Sequence, residues 1–357
     1  MIRRILSTAA ARFDATIGSV MLTRGDRLDA TALGHADRLV ALEQVRSIYD
    51  RPEHYTDPST FFPEPGPIEP RVSRVRSIGG SDPGSVVDLT WPSQFEPFCP
   101  EVRDIYLGHE LNGTAAARLF LHAGRARPTA ILVHGYRCGI FALEERLWPV
   151  QWLYERGLDV ALAVLPFHAV RARRGPPLFP SSDPRITNEG FRQTSLDLRG
   201  LARFFRDRGA EAVGMMGMSL GGYTTGLMTT IDDSLDFAVP MIPCASIADV
   251  ALMVGLLVGT PEEQALQHAG LEAAHRVVSP LARPTRMSTD RILVIGAHAD
   301  RITPIDHATR MAEHFGAPLE TFHGGHLLQF GRGDAFRAIG RMLERIGILT
   351  PRTAMAA

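Results

Sequence analysis

The chain contains no lysine: all 38 of its basic residues are arginine. A ligand preference for guanidinium groups would not strip lysine from an entire surface, so the bias reads as GC-rich bacterial coding. Neither sign of charge is in excess. The 38 basic and 39 acidic residues leave a net charge of −1, so nothing in the balance suggests a polyanion such as nucleic acid as a partner. Cysteine is scarce. Cys99, Cys138 and Cys244 are odd in number and spaced for neither a disulfide framework nor a zinc site. A reducing, cytoplasmic compartment is the default expectation. Long apolar runs are missing too: none approaches the roughly 20 residues of a membrane-spanning helix.

What the chain does have is length and apolar content. At 357 residues and 45% hydrophobic, it can bury the core of one large α/β domain and carry an extension. Residues 1–70 read as that extension. Met1 to Phe13 is basic and free of acids, but lacks the apolar core and small-residue cleavage site of a secretory signal. It reads as an amphipathic helix lying on the protein, with a membrane-surface role as the less favoured reading. Leu28 to Tyr49 carries apolar residues at helical spacing. Pro58 to Pro70, with Pro63, Pro65 and Pro67 inside it, cannot continue a helix and forms an extended connector. The helical part of this extension would serve as an arm for a homo-oligomer.

From Arg71 the pattern alternates. Strands are predicted over Val72–Ile78, Val86–Trp91, Ala115–His122, Ala130–Val133, Asp159–Leu165, Ala212–Met216, Phe237–Ile242, Ile292–Ile295 and Leu319–Phe322. Helices are predicted over Phe141–Arg156, Asn188–Arg208, Leu220–Thr230, Ile305–Phe315 and Asp334–Ile346. Fully apolar strands alternating with helices imply a mostly parallel sheet covered on both faces, an α/β fold. The interval from about 246 to 288 is too long for a simple crossover. Its two helical stretches, Ile247–Val258 and Pro261–Val278, are expected to form a short cap above the strand ends.

The chemistry concentrates at Gly217-Met218-Ser219-Leu220-Gly221. An apolar strand runs into this G-x-S-x-G and a small-residue helix leaves it, the pattern of a nucleophile elbow. A serine there needs a base, a carboxylate to hold the base, and donors for the developing oxyanion. Asp300 follows the strand at Ile292 and lies in Asp300-Arg301-Ile302-Thr303-Pro304; Asp249 is the rival acid. His326 follows Gly324-Gly325, whose freedom lets the backbone turn the imidazole toward the serine; His323 is the rival base. No His-Glu-x-x-His or second ligand cluster points to a metal, and no cofactor is implied. The turn His134-Gly135-Tyr136 closes the Ala130–Val133 strand. It would supply the Tyr136 N–H, and the elbow the Leu220 N–H, to an oxyanion. His134 and Arg171 are the candidate substrate-binding residues. Arg171, Arg173 and Arg174 share a loop after the Asp159–Leu165 strand. That loop reads either as an anion clamp or as a solvated basic loop paired with surface acids such as Glu189.

With these parts in place the chain resembles the α/β-hydrolase superfamily over about residues 71–346. The resemblance rests on Leu132-Val133-His134-Gly135, Gly217-Met218-Ser219-Leu220-Gly221-Gly222, Asp300-Arg301-Ile302-Thr303-Pro304 and Gly324-Gly325-His326. It implies an eight-stranded, mostly parallel sheet in a domain spanning 71–350, and a Ser219–His326–Asp300 triad. Serine in the elbow fits an esterase acting on a small-molecule ester better than a dehalogenase or epoxide hydrolase. A lipid acyl hydrolase working at a membrane surface, or a binding protein that keeps the fold without catalysis, are the alternatives.

Overall fold

A computed structural model describes Ser7, Thr8, Ala10, Ala11, Asp14 and residues 33–173 and 175–350. The expected helix over Met1–Phe13 therefore falls largely outside the described residues, as does the Leu28 end of the next one. The strands are β1 (Arg71–Ile78), β2 (Gly84–Pro92), β3 (Thr114–His122), β4 (Thr129–Val133), β5 (Asp159–Ala163), β6 (Val213–Met218), β7 (Ala238–Met241), β8 (Val294–Ala297) and β9 (Leu319–Phe322). The helices that frame them are α1 (His35–Tyr49), α2 (Phe141–Leu147), α3 (Val150–Glu155), α4 (Pro184–Asp207), α5 (Leu220–Ile231), α6 (Ile247–Met253), α7 (Pro261–His275), α8 (Ile305–Phe315) and α9 (Arg332–Arg345).

The strands form a single sheet in the order β1-β2-β3-β5-β4-β6-β7-β8-β9. The first three pair antiparallel with one another and onto β5, and β5 through β9 pair parallel. Nine strands replace the eight implied by the resemblance. The additional one is β1, an edge strand exposed along nearly its whole length. Its arginines (Arg71, Arg74, Arg76) and the register shift between Arg74 and Arg76 blunt an edge that would otherwise invite further pairing.

The parallel strands are buried on both faces, and their side chains alternate between two cores. Ile131, Val133, Ala161, Val213 and Met215 face the layer that contains α4, α5 and the N-terminal extension. Ala130, Leu132, Val160, Leu162 and Met216 face the layer built from α3 and α9. One predicted helix, Phe141–Arg156, is two: Pro149 cannot donate into a helix and separates α2 from α3. α4 begins at Pro184, earlier than predicted, because the Asp183 side chain caps it by accepting from the Arg185 N–H.

The extension does not project as an arm over its described length. Tyr49, Phe61 and Phe62 belong to the main core. Glu189 on α4 accepts from the Tyr49 hydroxyl at 2.8 Å and from the Phe98 and Cys99 amides at 2.9 Å, and Arg192 donates to the Phe61 carbonyl. α1 packs on α7, where Gly270 lets Leu39 and Leu42 approach closely. The 246–288 interval holds α6, ending at Met253, and α7, which starts with a reciprocal capping box between Thr260 and Glu263. Among the described residues no helix is long and apolar enough to cross a membrane.

Candidate active site

Ser219 sits between β6 and α5 with φ 58° and ψ −113°, outside the comfortable range for a residue with a side chain. Its N–H donates to the Met241 carbonyl (3.0 Å) and its carbonyl accepts from Tyr223 (2.9 Å), which hold the strained turn in place. The flanking glycines are sterically required. A Cβ on Gly217 would run into the Gly221 carbonyl, and one on Gly221 into the Val133 carbonyl. Ser219 is half-buried while its neighbours Met218 and Leu220 are buried. Other non-glycine residues with positive φ are Arg137 beyond β4, Phe167 and Ala169 beyond β5, and Ile242 beyond β7. Strain thus gathers at the carboxyl ends of the strands around the serine.

Asp300 lies in the loop after β8, and its side chain is fully buried against His326. Oδ1 accepts from the Ile302 and Thr303 amides, both at 2.8 Å. Oδ2 is 2.7 Å from His326 Nδ1. With Oδ2 as the acceptor, Nδ1 is the donor, which leaves Nε2 with the lone pair a base needs. Thr303 completes the group: its hydroxyl lies 3.0 Å from the Ile242 carbonyl, 3.1 Å from Asp300 Oδ2 and 3.0 Å from His326 Nδ1. Burial pulls the imidazole's proton affinity down, but the Asp300 charge and hydrogen bond, with a further contribution from Asp14, hold the His326 pKa above the ordinary histidine value.

The turn after β4 packs against the serine. A Cβ on Gly135 would lie 3.4 Å from Ser219 Cβ and 3.9 Å from its Oγ. His134 braces this turn from behind. Nδ1 donates to the Gly135 carbonyl at 2.7 Å and Nε2 accepts from the Leu165 N–H at 3.0 Å. Burial lowers its pKa to about 4, so the ring is neutral. Gly139, with φ 99°, makes room for that ring. Its N–H donates at 2.8 Å to Glu144, whose buried carboxyl has a raised pKa. On the other side of the serine, Leu220 opens α5, so its N–H has no acceptor within the helix. The half-buried Tyr136 follows Gly135 in the same turn.

The acetyl xylan esterase from Paenibacillus sp. R4 superposes on 91% of this chain and 99% of its own, with a TM-score of 0.56 at 14% identity. The chain has the α/β-hydrolase fold. Acetyl xylan esterase 1 from Thermoanaerobacterium sp. JW/SL YS485 covers 85% of the chain and 98% of its own length, with a TM-score of 0.53 at 14% identity. Two sequence relatives, Uncharacterized protein MT2702 and Uncharacterized protein Rv2627c of Mycobacterium tuberculosis strains CDC 1551 / Oshkosh and ATCC 25618 / H37Rv, are each 29% identical over 307 residues. The match spans 83% of this chain and 72% of theirs. No family model matches.

Within the α/β-hydrolase fold the rival residues separate clearly. Asp249, on α6, is bound to His268 (2.7 Å) and Arg310 (2.7 Å) and makes no hydrogen bond to His326. His323 is exposed and stacks near His298, so of the two histidines it is His326 that meets Asp300. Asp249, His268 and Glu272 do bring ligand-type atoms within 4.8 Å of one another, a grouping the sequence reading did not identify. Arg310 already neutralises Asp249, and Glu272 bonds the Ser246 hydroxyl.

Both candidate substrate-binding side chains are buried. His134 is buried as the brace just described. Arg171 is 1% exposed, pairs with Asp197 of α4 at 2.8 Å, and donates to the Val164 and Asn112 carbonyls. It is an interior strut, tied to α4 through its ion pair with Asp197. Glu189, expected as a surface acid, is likewise buried. Two residues near the base went unassigned in the sequence. Thr303 had a local signal, a hydroxyl three positions after the acid. Asp14, whose Oδ2 accepts from the His326 N–H at 2.5 Å, lies 312 residues away and had none.

Proposed function

We propose that the protein is a serine hydrolase of carboxylic esters working through an acyl-enzyme. The observation that carries this is the buried Asp300–Thr303–His326 group at the same sheet edge as the strained Ser219, with Gly135 against the serine. His326 Nε2 takes the proton from Ser219 Oγ as the oxygen attacks the ester carbonyl. The imidazolium formed is stabilised through Nδ1–H by Asp300 Oδ2. The Leu220 and Tyr136 amides receive the oxyanion. The alcohol leaves with the proton from His326, and a water deprotonated by the same nitrogen releases the acid. No hydrogen bond joins Ser219 to His326 in the structure; bonds of this kind tighten when substrate fills the site.

The substrate side of the proposal is a neutral ester. With Arg171 turned inward, the anion clamp loses its central residue. Ile140, Val170, Leu327 and Phe330, on the loops that follow β4, β5 and β9, are exposed apolar side chains and favour an apolar acyl or alcohol group. The esterase names of the two fold neighbours agree with this chemistry. Hydrolysis of a graded series of p-nitrophenyl esters tests it. The wild type should turn over short neutral esters, and His326→Ala should lose that activity while remaining folded. Retention of full activity in His326→Ala would reject the mechanism.

A further inference from the structure

The Asp14 side chain is buried, yet it originates in the N-terminal extension, far in sequence from anything it touches. One carboxylate oxygen accepts from the His326 N–H at 2.5 Å and the other from the Leu327 N–H at 3.0 Å. Among the described residues these two amides are its hydrogen-bond partners. Both belong to the loop that carries the base. A short distance along, the Ser7 hydroxyl donates to the His323 carbonyl at 2.8 Å. Gly325 also fits this contact: a Cβ there would collide with Asp14 Oδ2 and lie 3.2 Å from Ala10 Cβ. Gly325 is not among the positive-φ glycines, so its backbone would accept alanine. What excludes a side chain is the approach of the N-terminal segment.

We propose that Asp14 is a positioning residue of the active site, and that the N-terminal extension completes the catalytic centre by clamping the backbone of the His326 loop. The proposal rests on His326 acting as the base. Two amide bonds to a buried carboxylate are charge-assisted and geometrically restrictive, so they fix where the imidazole begins. The carboxylate is also an anion in a place where positive charge appears only once His326 has taken the serine proton. Such a charge stabilises the transition state more than the resting enzyme. The charged groups facing His326 are then Asp300 on the Nδ1 side and Asp14 on the backbone side. Losing either lowers the imidazole's affinity for a proton.

The test uses the full chain with Asp14→Ala, Asp14→Asn and Gly325→Ala. Expected for Asp14→Ala is a fall of about 10- to 100-fold in kcat per folded molecule, with KM little changed, a fraction of what general base catalysis supplies. Asp14→Asn keeps an acceptor and loses the charge, so the His326 titration midpoint, read by NMR of the ring, moves to lower pH. Gly325→Ala should displace Asp14 and cost activity in the wild type, but add little in the Asp14→Ala background. The proposal is overturned if Asp14→Ala keeps kcat within twofold per folded molecule and the midpoint does not move, or if Gly325→Ala costs the same in both backgrounds. If the wild type has no esterase activity, the proposed function fails. The midpoint shift then still decides whether Asp14 acts on His326.

Discussion

Replacing Asp300 with asparagine isolates what the carboxylate does for the base. Asparagine has the same shape, and its carbonyl oxygen can still accept from the Ile302 and Thr303 amides, each 2.8 Å away. The amide group then faces His326 Nδ1, where Oδ2 stood at 2.7 Å. An N–H in that place donates rather than accepts, so Nδ1 becomes the acceptor and the ring proton moves to Nε2. The nitrogen that should take the serine proton already holds one. For serine triads this tautomer change costs about 10⁴ in kcat, which corresponds to about 5.5 kcal/mol of barrier. The assay is kcat for a short p-nitrophenyl ester, with thermal unfolding run in parallel. Asp300→Asn should melt within a few degrees of the wild type and retain about one ten-thousandth of its turnover. A folded variant within tenfold of wild-type activity would refute the roles assigned to Asp300 and His326.

Gly135→Ala places a methyl group at ordinary contact distance from Ser219, so the fold should persist while the space beside the nucleophile closes. A fall of about 10² or more in kcat/KM with unchanged melting is expected. Arg171→Ala leaves Asp197 buried without its cation and should destabilise the protein by about 3–5 kcal/mol in denaturant titration, with KM unaffected per folded molecule. A large KM change in a stable variant would return Arg171 to the substrate site. Burial holds His134, His168 and His275 neutral, with pKa values lowered to about 4, 3 and 3. The unfolded chain takes up these protons near the ordinary histidine value of about 6.5. Stability should therefore fall as pH drops below that value and keep falling toward pH 3–4; a flat urea midpoint between pH 7 and 5 would contradict it. His326 runs the other way in pH. Its raised pKa places the acid limb of the activity profile above pH ~6.5, and a limb centred below that value would argue against the Asp300 pairing.

Local signals carried the sheet. β4 to β8 could be placed from largely apolar runs bounded by turns, because they are buried on both faces. The elbow was equally legible, since its glycines are demanded by backbone contacts within a few residues. The sequence did not reveal the partners of charged groups. Arg171 looked like a loop arginine because its partner, Asp197 on α4, lies 26 positions further along the chain. Glu189 looked like a surface acid because its Tyr49 partner belongs to an extension that gave no sign of joining the core. Asp14 was beyond reach for the same reason. A carboxylate can be read as a capping or positioning group only when the amides it serves are nearby in sequence, and these are at the opposite end of the chain. The break between α2 and α3 was readable from Pro149, whose missing N–H forbids a continuous helix.

The most direct test of the account is the intact mass of the protein after reaction with a fluorophosphonate, with Ser219→Ala treated alongside. An activated serine should give one adduct on the wild type and none on the variant. An unmodified wild type, or an adduct that persists in Ser219→Ala, would contradict the claim that Ser219 is the nucleophile.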